Sequence, residues 1–198
     1  MTTAGPEDSG DLAALLRKAS EDALALIERL KTQDTQLERR ALVRAVFSFV
    51  EGMTFALKQE ALNRNAVFSP AEIALLREQS YEINDKGKAI VRPALIELRR
   101  NIRFAFDCFA RGWHTSNRLD LSEDGWRCLQ EALFVRHRLM HPKGLSDFHV
   151  SDSELDATTK GFFWFHCQFA ITLAGALGSW YRAVKAADAA DHGRNGEK

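Results

Sequence analysis

Val135-Arg136-His137-Arg138-Leu139-Met140-His141-Pro142-Lys143 crowds two arginines, two histidines and a lysine around one proline. Proline lacks an amide hydrogen and disfavours helical geometry in the residue before it, so a helix arriving here must stop close to His141. Upstream, Leu121-Ser122-Glu123-Asp124-Gly125-Trp126 through Leu133 reads as the body of that helix, with Ser122 as its predicted cap. The negative end of a helix dipole favours a charged imidazolium at such a terminus. Histidine and arginine side chains gathered there suit proton transfer near neutral pH, or a grip on phosphate.

Outward from this stretch, the chain reads as all-α. Only 12 glycines and 4 prolines punctuate its 198 residues, and alternation of the kind strands require is scarce. Residues 1–10 are expected to be disordered, 11–190 to form a single bundle of about six helices, and 191–198 to be a flexible tail. The first helix is predicted over 11–32 from Leu12, Leu15, Leu16, Ala19, Ala23, Leu26, Ile27 and Leu30. Thr35 with Glu38 opens a second, to about residue 64. Ser69-Pro70-Ala71-Glu72 opens a third, ending near Tyr81 before the Asn84-Asp85-Lys86-Gly87 turn. A fourth is predicted from Pro93 to Gly112, the motif helix is fifth, and Ser151 with Glu154 opens a sixth that runs to about Ala190.

Composition narrows the function. The chain is 45% hydrophobic, enough for a substantial core, and its 27 basic side chains cancel its 27 acidic ones. Any attraction to nucleic acid must therefore be local, and residues 136–143 offer the best local patch. Cys108, Cys128 and Cys167 are scattered and odd in number, which fits a reducing compartment and argues against a structural zinc site. With no basic leader near Glu7, Asp8 and Asp11, a cytoplasmic location is expected. From Gly161 to Tyr181 no residue is charged, and aromatics stand at both ends. Length and flanks suit a membrane span, but His166 and Gln168 inside it favour a core helix or a dimer interface. His166 is expected to be an internally satisfied core histidine.

The arginine, the polar residue after it and the histidine five positions on, Arg136-His137-(three residues)-His141, resemble the signature of the HEPN superfamily, whose domains are all-helical. The resemblance rests on this short motif and the helical layout. It implies a HEPN-like, metal-independent endoribonuclease of toxin or defence type, in which a ribose 2′-hydroxyl attacks the adjacent phosphate. On that reading Arg136 and His141 are the catalytic residues, with His137, Arg138 and Lys143 as supporting phosphate contacts. It further implies a homodimer whose two motifs share a cleft, RNA or a nucleotide as ligand, and a small nucleotidyltransferase-like antitoxin as partner. No cofactor and no metal are expected.

Other readings of the same residues stand beside this one. Arg136 lies about 140° around an ideal helix from His141, so unwinding at Pro142, its own length or a second chain must bring the two together. His137 and His141 share one helix face, yet a zinc site needs a third ligand. Glu51, an acid inside the apolar run Phe47–Phe55, is expected to face solvent, the alternative being a buried partner for a motif arginine. A non-catalytic nucleotide- or protein-binding HEPN-like module is the competing function, and a helical scaffold with no nucleic-acid role is a further one.

Overall fold

The computed structural model describes residues 7–64 and 67–195. Six α-helices and one two-stranded sheet are found among them, an all-α bundle. Helix α1 (Glu7–Leu30) leads to α2 (Gln36–Leu62), α3 (Pro70–Leu76), strands β1 (Gln79–Ile83) and β2 (Ala89–Pro93), α4 (Leu98–Gly112), α5 (Asp124–Met140) and α6 (Asp152–Asn195). Helix α1 starts within the stretch expected to be disordered, and α6 runs beyond Ala190. The rest of the expected disordered start, residues 1–6, lies outside the described residues, as do 196–198.

Helix α2 is the hub, because it touches every other helix of the bundle. It can do so because its buried face is broad: Leu42, Val46, Phe49, Val50, Met53 and Leu57 form its centre, and Ala56 on one side with Phe47 and Lys58 on the other widen it to about 200° around the helix. The centre of the core is aromatic. Phe49 meets Phe162 and Phe165 of α6 edge-on, at 5.3 and 5.7 Å between centroids, and Phe165 meets Phe106 of α4 in the same way at 5.7 Å. Burying a side chain of this size stabilises the fold by about 1.5–3 kcal/mol, before any edge-to-face term.

Local signals fix the helix ends. The Thr35 hydroxyl accepts from the Glu38 amide at 3.3 Å. Ser69 and Glu72 close a full capping box on α3, and Ser151 and Glu154 do the same on α6, with bonds of 3.3 and 2.9 Å. Ser122 does not cap α5. Its hydroxyl donates to Asp120 at 2.7 Å instead, and Glu123 takes the cap position without a side-chain capping bond.

Two expectations fail between α3 and α4. Helix α3 stops at Leu76, not near Tyr81, and Pro93 ends a strand where a helix was expected to begin. The segment is an antiparallel hairpin in which Gln79 pairs with Pro93 and Ile83 with Ala89. Asn84 makes the turn by accepting from the amides of Lys86 and Lys88, both at 3.0 Å, and Gly87 takes the left-handed conformation, φ +69°, that a side chain would strain.

Helices α5 and α6 share the broadest contact in the molecule, and they approach closely. A methyl group on Gly161 would come within 2.8 Å of the Leu129 backbone. The apolar length of α6 divides lengthwise. Phe162, Phe165, Phe169, Leu173 and Ala176 are buried, while Phe163, Ile171, Leu177 and Tyr181 are exposed. Asp152–Ala186 is long and apolar enough to cross a membrane by length and composition, and half of its most apolar window is buried. Gln168 is buried and accepts from the Asp120 amide at 3.1 Å. His166 is only half-buried; it stacks on Phe49 at 5.9 Å, and burial lowers its pKa.

Candidate functional site at the end of helix α5

The motif occupies the last turns of α5. Leu133, Val135 and Leu139 face the core and anchor the helix, leaving the basic residues between them for its flanks. As the proline predicts, the helix ends at Met140. His141 is its cap, with φ −132° and ψ 59°, although its amide still donates to the His137 carbonyl at 3.0 Å. The backbone therefore leaves helical geometry at the histidine itself.

The motif residues divide over three environments. Arg136 and His137 line a cavity of about 500 Å³ together with Glu51, Glu78, Glu97, Asn101 and hydrophobic neighbours. The Arg136 guanidinium is tethered there by Glu51 at 2.7 Å. Glu51 is thus the partner of a motif arginine, with its side chain still 45% exposed. Behind this cavity the wholly buried Lys58 donates to Glu78 at 2.7 Å and to Asn101 at 3.1 Å. Glu78 reaches it from a left-handed backbone, φ +57°, a costly conformation for a non-glycine residue.

Arg138 points the other way. Its guanidinium takes both carboxylate oxygens of Glu154, at 2.7 and 3.1 Å, and the carbonyls of Asp147 and His149, at 3.1 and 2.6 Å. That ion pair raises the pKa of Arg138 and lowers that of Glu154. The third environment is the exit from the helix. His141 and Lys143 are exposed there and line no part of the Arg136 cavity. The Lys143 amide is held by Asp147 at 2.6 Å, which orders the loop but leaves the ammonium to solvent.

Of the α2 residues that flank the motif, Glu51 stood out in the sequence as an acid inside an apolar run, and Arg40 and Arg44 did not. Arg40, Arg44 and Glu51 fall within about 40° of one another around the helix. Glu51 reaches Arg136 at one end of this face and Arg40 reaches the Phe148 carbonyl, at 3.1 Å, at the other. Exposed Arg44 stands on the same face between them. A basic i, i+4 pair on the helix carrying Glu51 was the signal available. Glu78, Glu97 and Asn101 had none, because they converge on the cavity from the hairpin and from α4. Among the described residues, no group of three or more His, Cys, Asp or Glu side chains is placed to hold a metal ion.

Arg136 can bind a phosphate with its planar fork if Glu51 yields one of its bonds, and His141 can exchange protons with anything that reaches the helix end. Comparison of the chain with protein-family models, with curated proteins and with solved structures finds no match in any of the three.

Proposed function

We propose that this chain is a HEPN-like, metal-independent endoribonuclease of toxin or defence type. The observation that carries the reading is the pairing of Arg136 with Glu51 beside His137, in the turns just before His141 leaves the helix for solvent. RNA would lie across the end of α5, its phosphates met by Arg136, His137 and Lys143, with Arg44 available from α2. His141 takes the proton from the ribose 2′-hydroxyl as its oxygen bonds to phosphorus. The bond to the 5′-oxygen breaks as that oxygen takes a proton from water, His141 returns its own proton to the hydroxide so formed, and the products are a 2′,3′-cyclic phosphate and a 5′-hydroxyl. Arg136 meets the charge that builds on the non-bridging oxygens. A cytoplasmic homodimer held in check by a nucleotidyltransferase-like antitoxin belongs to the same proposal.

The test is incubation of the pure protein with mixed RNA in EDTA. Cleavage is expected to persist, to leave cyclic-phosphate or 3′-phosphate ends, and to spare RNA methylated at the 2′-hydroxyl. Dependence on added metal, or cleavage of the methylated RNA, would sink the mechanism.

A second reading has its own observation. Glu51, Glu78 and Glu97 line the cavity that holds Arg136, so a phosphate entering it must displace a carboxylate already in place. This favours the non-catalytic module, with a protein as its ligand in place of a phosphate-bearing nucleotide. Wild-type protein that leaves all RNA intact and gives no calorimetric titration with a nucleotide would select it.

A further inference from the structure

Phe134, 68% exposed, is the most exposed aromatic side chain among the described residues, and it stands on the helix that carries the motif. It joins neither hydrophobic cluster of the core. Its ring walls a cavity of about 420 Å³ in the groove between α5 and α6. The two helices run antiparallel, with Arg138 at Glu154 and Leu129 at Gly161, so Ala157 lies level with Phe134 across the groove. Buried Val135 forms the floor. Ser153 and the Arg138–Glu154 ion pair close one end, and Glu131 stands at the other. Helical side chains lean toward the N-terminus, which directs the Phe134 ring toward the turn of Glu131.

This lining does not suit a phosphate. Its one arginine is already neutralised by Glu154, and Glu131 adds negative charge. An aromatic wall over an apolar floor suits a planar ring, and the volume lies within the range of small-molecule pockets, roughly 300–1,000 Å³. Arg127 donates to one oxygen of Glu131, which leaves the other oxygen and a further lone pair for a ligand.

We infer that the cavity takes one unpaired nucleobase, a guanine stacked on Phe134 and held at its Watson–Crick edge by the Glu131 carboxylate. Guanine alone among the four bases offers two neighbouring donors on that edge, N1–H and the N2 amino group, to meet two carboxylate oxygens. Adenine and cytosine set an acceptor beside their donor, and uracil sets acceptors on both sides of its own, so each brings a lone pair against the carboxylate. Aromatic stacking is a general means of holding a splayed-out base. Duplex RNA is excluded, because base pairing consumes the edge that Glu131 reads. The inference rests on RNA being the ligand, as in the proposed function, and its position suits that chemistry. His141 lies seven residues beyond Phe134, about 10 Å along the axis and within about 20° of the same line. Exposed His137 stands between them. A nucleoside with its base in the cavity extends its ribose along this face toward the imidazole.

Two measurements test the site. Fluorescence anisotropy with short single-stranded 2′-fluoro oligouridylates, which cannot be cleaved, compares one central guanine with inosine, adenine or an abasic position. Guanine should bind on the order of 10-fold more tightly than inosine, which lacks the N2 amino group, and than the abasic strand. Phe134→Ala should lose the preference for guanine over the abasic strand, and Phe134→Trp should keep it. Glu131→Gln should lose the preference for guanine over inosine. Thermal unfolding should be unchanged in all three, since both side chains are exposed. Sequencing of fragments left in EDTA should place the cyclic phosphate on guanosines of single-stranded segments. Cleavage by wild type without regard to the base, equal affinity for the guanine and abasic strands, or an undiminished guanine preference in Phe134→Ala overturns the inference. RNA left intact together with guanine-dependent binding overturns the nuclease reading alone. RNA left intact with no strand bound overturns both.

Discussion

Arg136 and Arg138 stand two residues apart on the same helix and meet opposite fates. The α2 side of α5 gives Arg136 one carboxylate, Glu51, itself half-exposed at the edge of a cavity. The α6 side encloses Arg138 with a bidentate carboxylate and two backbone carbonyls. Glu154, which holds Arg138, also completes the capping box that starts α6. One flank of the motif is thus a joint between helices and the other an opening. Arginine density in a sequence cannot separate the two, because the difference lies in partners nine or more residues away.

The largest effect should fall on His141. On the proposed mechanism His141→Ala lowers the cleavage rate about 10²–10⁴-fold, the span of a general acid–base group, while thermal unfolding is unchanged. Full activity in a folded His141→Ala protein would remove the helix end from the chemistry. The two arginines should then divide activity from stability. Arg138→Ala is expected to cost about 2 kcal/mol, since it leaves a partly buried carboxylate and two carbonyls unpaired. Arg136→Ala should cost under about 1 kcal/mol, as for other solvent-accessible pairs, yet lower cleavage on the order of 10²-fold, and Arg136→Lys should restore little of it. Urea titration of both variants decides the matter; greater destabilisation by Arg136→Ala would break the comparison.

Acid should open the closed flank. The hydrogen bond from Arg138 leads the effects that hold the Glu154 carboxyl below its ordinary value of 4.5. A depressed folded-state pKa contributes stability that is fully present above the unfolded value and is lost as pH falls through the folded one. Glu72 behaves alike. The Ser69 amide, then Arg111, bring its pKa down to about 2. Urea midpoints should therefore decline from about pH 4.5 toward pH 2, and Glu154→Gln should flatten part of that slope. An unchanged slope would show that the Arg138 joint is not what acid undoes. The smallest effect belongs to Lys143. Its removal should weaken RNA binding by roughly two- to threefold and lower the dependence of log K on log salt by about one, without sequence preference.

The legible parts of the molecule were those with local causes. Ser69-Pro70-Ala71-Glu72, Ser151 with Glu154, and Pro142 each act within one turn, and each sets a boundary where the residues predict it. The hairpin was illegible because nearly all of β1 and β2 is exposed, so neither strand carries an alternating apolar face. Backbone pairing and the Glu82–Arg92 bridge, 2.6 Å, hold it instead. The uncharged run of α6 was visible, but its division into a buried face and an exposed one depends on where α2, α4 and α5 lie. Within the candidate site the motif itself was legible. Glu78, Glu97 and Asn101 around it were not, since they follow no spacing relative to Arg136.

At the crossing of α5 and α6, Gly161 lies against the Leu129 backbone with no room for a methyl group. That contact works as a fulcrum. Helix α5 continues from Leu129 to His141, a stiff arm of about 18 Å. The arm is pinned a second time near its far end, where Arg138 grips Glu154 of α6. A methyl group at position 161 would therefore put its load on that ion pair, two pins of one plate strained by the exchange of a single hydrogen atom.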